Sequence, residues 1–121
     1  MKMEEFFKKL KDFERLTQDI LWYESDNLDI DSLKDFSFDC VDLTKNGRGQ
    51  NRSIEITVFN PYDERWGSIE LPLKVWDMDH DEIMKMVKES TQNKSLRFKY
   101  NTLTYLTADD LEKAAKFDFG D

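Results

Sequence analysis

The chain has 121 residues, with 18 Lys and Arg against 26 Asp and Glu, a formal net charge of −8. Hydrophobic residues make up 39% and aromatic residues 13%, against only four Gly and two Pro, a balance that excludes collagen, low-complexity linker and a wholly disordered acidic chain. The length sets the expectation of one α+β domain over residues 1–121, burying about two-thirds of its unfolded surface.

From Met3 to Leu21 the apolar residues Met3, Phe6, Phe7, Leu10, Phe13, Leu16, Ile20 and Leu21 recur at helical spacing, with charges between them. Glu4 and Glu5 suit the positive end of a helix dipole. The pattern predicts an amphipathic helix over about 3–24, closed by Ser25-Asp26-Asn27. Residues 28–35 read as a single helical turn. Phe36, Phe38 and Cys40 then alternate with Ser37 and Asp39, continuing through Val41-Asp42-Leu43, a strand with Cys40 on its core face. Asn46-Gly47 marks a hairpin, with the basic loop Lys45–Arg52 around it. Ile54, Ile56 and Val58 form a second strand, broken at Asn60-Pro61-Tyr62-Asp63. Ile69, Leu71, Leu73 and Val75 form a third, in which Pro72 belongs at an edge or with its nitrogen turned outward.

Asp79, with Glu82 three residues on, is the capping box of a second helix that buries Ile83, Met84, Met86 and Val87. Leu96, Phe98 and Tyr100 suggest a further strand, which Leu103–Leu106 continues or pairs with. Thr107-Ala108-Asp109-Asp110 opens a short C-terminal helix through Lys116. The expected architecture is an N-terminal amphipathic helix, a three-stranded antiparallel meander, a helix, a further strand and a short C-terminal helix. One face of the sheet is covered.

Most motif chemistry is missing. No apolar run approaches the roughly 20 residues that span a bilayer, and Met1-Lys2-Met3-Glu4-Glu5 lacks a secretory apolar segment. A cytoplasmic protein without membrane attachment is therefore expected. The single Cys40 excludes an internal disulfide and a Cys-based zinc site, and the single His80 offers little for imidazole catalysis. Asp77-Met78-Asp79-His80-Asp81-Glu82 begins like a calcium loop, but Glu82 stands where Gly is needed and Lys88 where a bidentate Glu is needed. That cluster reads as a helix N-terminus, with His80 facing solvent. No cofactor and no metal is expected. An alternative places a carboxylate-metal phosphodiesterase on Asp39, Asp77 and Asp79, and a Cys40–His80 nucleophile pair is weaker still.

Charge is distributed unevenly. Between Asp19 and Thr44 there are eight acids and one base, Lys34, whereas Lys45–Arg52 carries three bases and no acid. Asp19, Glu24, Asp26, Asp29, Asp31 and Asp35 are the candidate acidic face, spaced like a phosphate ladder that suits a basic groove. Tyr62, Arg65 and Trp66 form a candidate anchor in the turn between two strands, being residue types enriched at interface hot spots.

In size, acidity and layout alone, the chain resembles small inhibitor proteins of phages and toxin systems: anti-CRISPR, anti-restriction and nuclease-immunity proteins. That resemblance rests on general character and carries no residue over. It implies a non-enzymatic module that inhibits or regulates a basic, nucleic-acid-processing protein partner, such as a nuclease, without binding nucleic acid itself. A third reading is a structural or assembly subunit that pairs through an edge strand near Pro72.

Overall fold

The computed structural model describes residues 3–45 and 51–105. The expected basic loop tip at 46–50 and the expected C-terminal helix at 107–116 lie outside them. The elements are α1 (Met3–Leu28), a 3₁₀ helix (Asp31–Asp35), β1 (Ser37–Lys45), β2 (Asn51–Asn60) and β3 (Arg65–Pro72). A second 3₁₀ helix (Leu73–Asp77), α2 (His80–Gln92), β4 (Arg97–Lys99) and β5 (Thr102–Thr104) follow. The fold is α+β, with a five-stranded sheet in the order β1-β2-β3-β5-β4.

The sheet is mixed. β1, β2 and β3 pair antiparallel in chain order, but β5 joins β3 in parallel through Ser68–Glu70 against Thr102–Thr104. This corrects the all-antiparallel expectation: β3 reaches β5 through α2 and the β4–β5 hairpin, and such a crossover returns the chain in the same direction. The correction also moves Pro72, which ends an interior strand between β2 and β5. β5 reaches only as far as Glu70, so the missing N–H of Pro72 lies beyond that ladder. Leu73 and Val75, expected in the strand, fall in the second 3₁₀ helix, where Val75 is buried and Leu73 exposed.

Both helices cover one face. Phe13, Leu16, Ile20 and Leu21 of α1 and Ile83 and Val87 of α2 share one core with Ile54, Ile56, Val58, Ile69, Leu71 and Leu103. Among the described side chains of the α1 stripe Phe13 is the first that is fully buried, while Met3 and Phe7 are exposed. Each fully buried Leu, Ile, Val or Phe contributes about 1.5–3 kcal/mol, so this shared layer supplies most of the driving force for the two-layer packing.

Both helices end in Schellman turns that no glycine announces. After α1, Asp29 takes φ 55° and Ile30 N–H donates to the Ser25 carbonyl at 3.0 Å. After α2, Lys94 takes φ 59°, its N–H donates to Thr91 O at 3.2 Å, and Ser95 N–H donates to Ser90 O at 2.9 Å. That motif carries α1 four residues past the Glu24 end expected from sequence. At its start, α2 has the expected capping box: Glu82 N–H donates to Asp79 Oδ1 at 2.8 Å and Asp79 N–H donates to Glu82 Oε1 at 3.3 Å.

Two substitutions test these local causes by chemical denaturation. Asp79→Ala removes the cap and lowers stability by about 0.5–2 kcal/mol. Gly67→Ala places a Cβ 2.6 Å from the backbone oxygen of Asn101 and 3.2 Å from the Phe36 ring, so the β3–β5 pairing must shift. Its expected cost is about 1–3 kcal/mol.

Candidate partner-binding surface

The acidic segment begins where α1 ends. Its last turn holds no basic residue, although the carbonyl end of a helix favours cations by roughly 0.3–1 kcal/mol. Asp26 stands there with its side chain 78% exposed, 3.3 Å from Lys34 of the first 3₁₀ helix. Lys34 also lies 5.3 Å from the ring centroid of the exposed Trp22. Asp29, Asp31 and Asp35 are exposed, and Leu33 alone anchors the 3₁₀ helix in the core. Lys34 thus balances one acid of this group.

The turn between β2 and β3 is shaped from below. Asn60 is buried and its Oδ1 accepts from Tyr62 N–H at 2.9 Å, while Pro61 supplies the fixed φ of a turn. Tyr62 is left 83% exposed. Arg65 Nε donates to Asp63 Oδ2 at 2.7 Å, and the Arg65 guanidinium holds the Asp63 carboxyl below its ordinary value. Arg65, part of the candidate anchor, is therefore engaged within its own turn, with its side chain still half-exposed. Trp66 is 57% exposed, with one side on Phe59 at a centroid distance of 4.6 Å. These two residues face each other across β2 and β3, which explains the partial cover.

A third aromatic was not singled out in the sequence. β4 and β5 are joined by Tyr100 and Asn101, both at positive φ (51° and 61°), as a two-residue turn of the I′ type requires. Without an Asn-Gly pair the hairpin had no turn signature, and Tyr100 read as a strand residue. It is 86% exposed. Asn101 places this turn beside β3: its carbonyl accepts from Ser68 N–H at 3.0 Å and its Nδ2 donates to Trp66 O at 3.5 Å.

The strand directions bring these pieces to one end of the sheet. Ser37 opens β1 opposite Phe59, near the finish of β2, and Thr102 opens β5 beside Ser68 of β3. The acidic residues just before β1, the Tyr62–Trp66 turn and the Tyr100–Asn101 turn therefore share that end. The strand ends flanking the basic loop, Lys45 and Asn51, pair at the opposite end.

Two members of the expected acidic face stand elsewhere. Glu24 is fully buried, its Oε2 within hydrogen-bond distance of the Tyr105 and Thr91 hydroxyls: it lies on the core side of α1, four residues after Ile20. Asp19 is half-exposed, with its Oδ2 2.9 Å from His80 Nε2. His80 accordingly packs against α1 rather than facing solvent. Cys40 is exposed, not core-facing, because a bulge between Phe38 and Cys40 reverses the alternation of β1.

Across the other face of the sheet, Asp42 stands opposite Glu55, and Glu55 opposite Glu70. Like charges directly opposite are unfavourable in a sheet. Burial and the neighbouring Glu55 push the Glu70 carboxyl above its ordinary value. Cross-strand register created this row, which no linear spacing reveals.

Among the described residues no group of three His, Cys, Asp or Glu side chains is placed to hold a metal ion, so Asp39, Asp77 and Asp79 do not form the expected alternative site. A cleft between α1 and the start of α2, lined by Phe13, Leu16, Val75 and Ile83, has a volume of about 160 Å³, below the roughly 300 Å³ where small-molecule pockets begin. Among the described residues no helix is long and apolar enough to cross a membrane. Comparison with protein-family models, curated proteins and solved structures finds no match to this chain.

The reversed alternation of β1 has a direct readout. Cys40 in the folded protein should react with a small thiol reagent nearly as fast as in denaturant, whereas a core-facing thiol would react only as the protein opens.

Proposed function

We propose that this chain is a non-enzymatic binding module that docks a basic protein partner at the end of the sheet bearing Tyr62, Trp66 and Tyr100. The observation that carries this reading is convergence. Three exposed aromatics and the acids Asp26, Asp29, Asp31 and Asp35 come from three separate stretches of sequence and meet at one end. Large exposed aromatics supply contact area at low entropic cost, and surrounding charge speeds encounter and selects partner sign.

Local cost supports the same reading. Asp29, Glu64, Tyr100 and Asn101 all hold positive φ, and a bulky residue such as Tyr100 rarely adopts it. An acid at the carbonyl end of α1 is likewise unfavourable for folding. Such local conflicts gather at functional sites. A partner with a basic, nucleic-acid-processing groove is the proposed target, because a row of carboxylates resembles phosphate in charge. Inhibition or regulation of that partner follows from occupying its groove.

The test immobilises the full chain and challenges it with basic proteins eluted from heparin. Retained proteins should be displaced by added duplex DNA and should elute as salt rises. The variant Asp31→Lys/Asp35→Lys should lose association rate at low salt by at least tenfold, with the gap closing toward 1 M salt, where the screening length is about 3 Å. Asp29 is left unchanged in that variant, since its positive φ disfavours lysine. Tyr62→Ala and Tyr100→Ala should instead raise the dissociation rate. An unchanged on-rate at low salt would sink the charge component, and retention indifferent to DNA would sink the proposed class of partner.

A further inference from the structure

Glu24 on α1 has no exposed surface, and the groups around it do not have enough protons if it is ionised. Its Oε2 meets two hydroxyls: that of Tyr105, which follows β5, and that of Thr91 on α2 at 2.9 Å. The Thr91 hydroxyl also lies 3.0 Å from the Val87 carbonyl oxygen. These are three hydrogen-bond contacts, and each needs a proton. A hydroxyl carries one proton, and neither a carbonyl nor a carboxylate oxygen carries any. Tyr105 and Thr91 supply two. Among the described groups the third is available from Glu24.

With a proton on Oε2 the set closes: Glu24 donates to Thr91, Thr91 donates to the Val87 carbonyl, and Tyr105 donates to Glu24. The other carboxyl oxygen points the same way. Glu24 Oε1 is buried with no hydrogen-bond partner among the described residues. An unpartnered carbonyl oxygen is tolerable at that depth, whereas an unpartnered carboxylate oxygen is far more costly. We propose that Glu24 is a protonated carboxylic acid in the folded protein, and that it acts as a latch joining α1, α2 and the end of β5, released when it ionises.

Among the described residues no compensating cation pairs with it. Facing the group are Tyr105 from the end of β5 and Thr91 from α2; Tyr23 of α1 acts on the Tyr105 phenol, and Lys88 of α2 lies over the Tyr23 ring at 5.7 Å. Burial pushes its carboxyl above the ordinary 4.5, outweighing the two hydroxyl contacts that lower it. Burial and the adjacent Glu24 also push the Tyr105 phenol up, so Tyr105 remains a donor.

The pH dependence follows in sign. The unfolded chain releases the Glu24 proton near the ordinary value of 4.5, and the folded chain retains it to higher pH. Between those two values the native state holds one more proton, so stability is fullest below the ordinary value and falls as pH rises.

The experiment compares unfolding by urea across pH for the full chain and for Glu24→Gln. Glutamine can accept from Tyr105 and donate to Thr91 while having no proton to lose. Relative to Glu24→Gln, the wild-type unfolding constant should rise up to tenfold per pH unit above the ordinary glutamate range, or about 1.36 kcal/mol per unit. Parallel profiles would overturn the proposal. A second measurement works on wild type even if Glu24→Gln fails to fold: the infrared carbonyl band of a protonated carboxylic acid should persist above the ordinary glutamate range. Among the described residues Glu70 is the other carboxyl raised by burial, so Tyr105→Phe assigns the band, shifting it only if it belongs to Glu24. Absence of the band, or a band indifferent to Tyr105→Phe, would also overturn the latch.

Discussion

Ser68 N–H donates to the carbonyl of Asn101 at 3.0 Å, and that bond depends on a missing side chain. A Cβ on Gly67 would stand 2.6 Å from the same carbonyl oxygen. The parallel pairing of β5 with β3 begins at this contact, and three consequences follow from it. It turns a three-stranded meander into a five-stranded mixed sheet, it sets the Tyr100 turn beside Trp66, and it directs the chain so that Tyr105 reaches Glu24. Glycine tolerates such close backbone approach at an entropic cost, which here is offset by the burial of Leu103 between the sheet and the helices.

The two faces of the sheet have opposite chemistry. The covered face is an aliphatic layer of Ile54, Ile56, Val58, Ile69, Leu71 and Leu103, and Glu24 is among the polar side chains buried with it. The other face carries Glu55, Thr57, Ser68, Glu70, Thr102 and Thr104, all half-buried. Hydrophobic burial therefore sets the layering, while the polar face contributes specific pairs such as Ser68 Oγ and Thr102 Oγ1 at 3.0 Å. The aromatic pair Phe59 and Trp66 sits at the end of this polar face, where the strands finish and the turns begin. The acids Asp31 and Asp35 lie at the same end, on the segment entering β1.

Much of the local structure was legible in residue order. The stripe from Phe13 to Leu21 announced α1, the Asp79–Glu82 spacing announced the start of α2, and the Ile54–Val58 alternation announced β2. Element ends were harder to read. Asp29 and Lys94 occupy left-handed positions normally held by glycine, so neither helix end carried its usual mark. The β4–β5 turn was hidden for the same reason, with Tyr100 and Asn101 in place of a glycine-bearing pair. Of the candidate surface, Tyr62 and Trp66 were visible as residues, but Tyr100 was not.

Sequence by itself determined the periodicities: which residues are apolar, how they repeat, and where a carboxylate three residues from another closes a cap. These are local properties, decided by backbone geometry within a few residues. Tertiary structure decided everything that depends on which strand lies beside which. It removed Glu24 from the acidic face by packing α2 and Tyr105 against it, and it turned Cys40 outward through one unpaired residue in β1. It also brought residues 26–35, 62–66 and 100 to one end of the sheet. Burial and convergence are set by contacts between distant segments, and no spacing along the chain encodes the register that makes them.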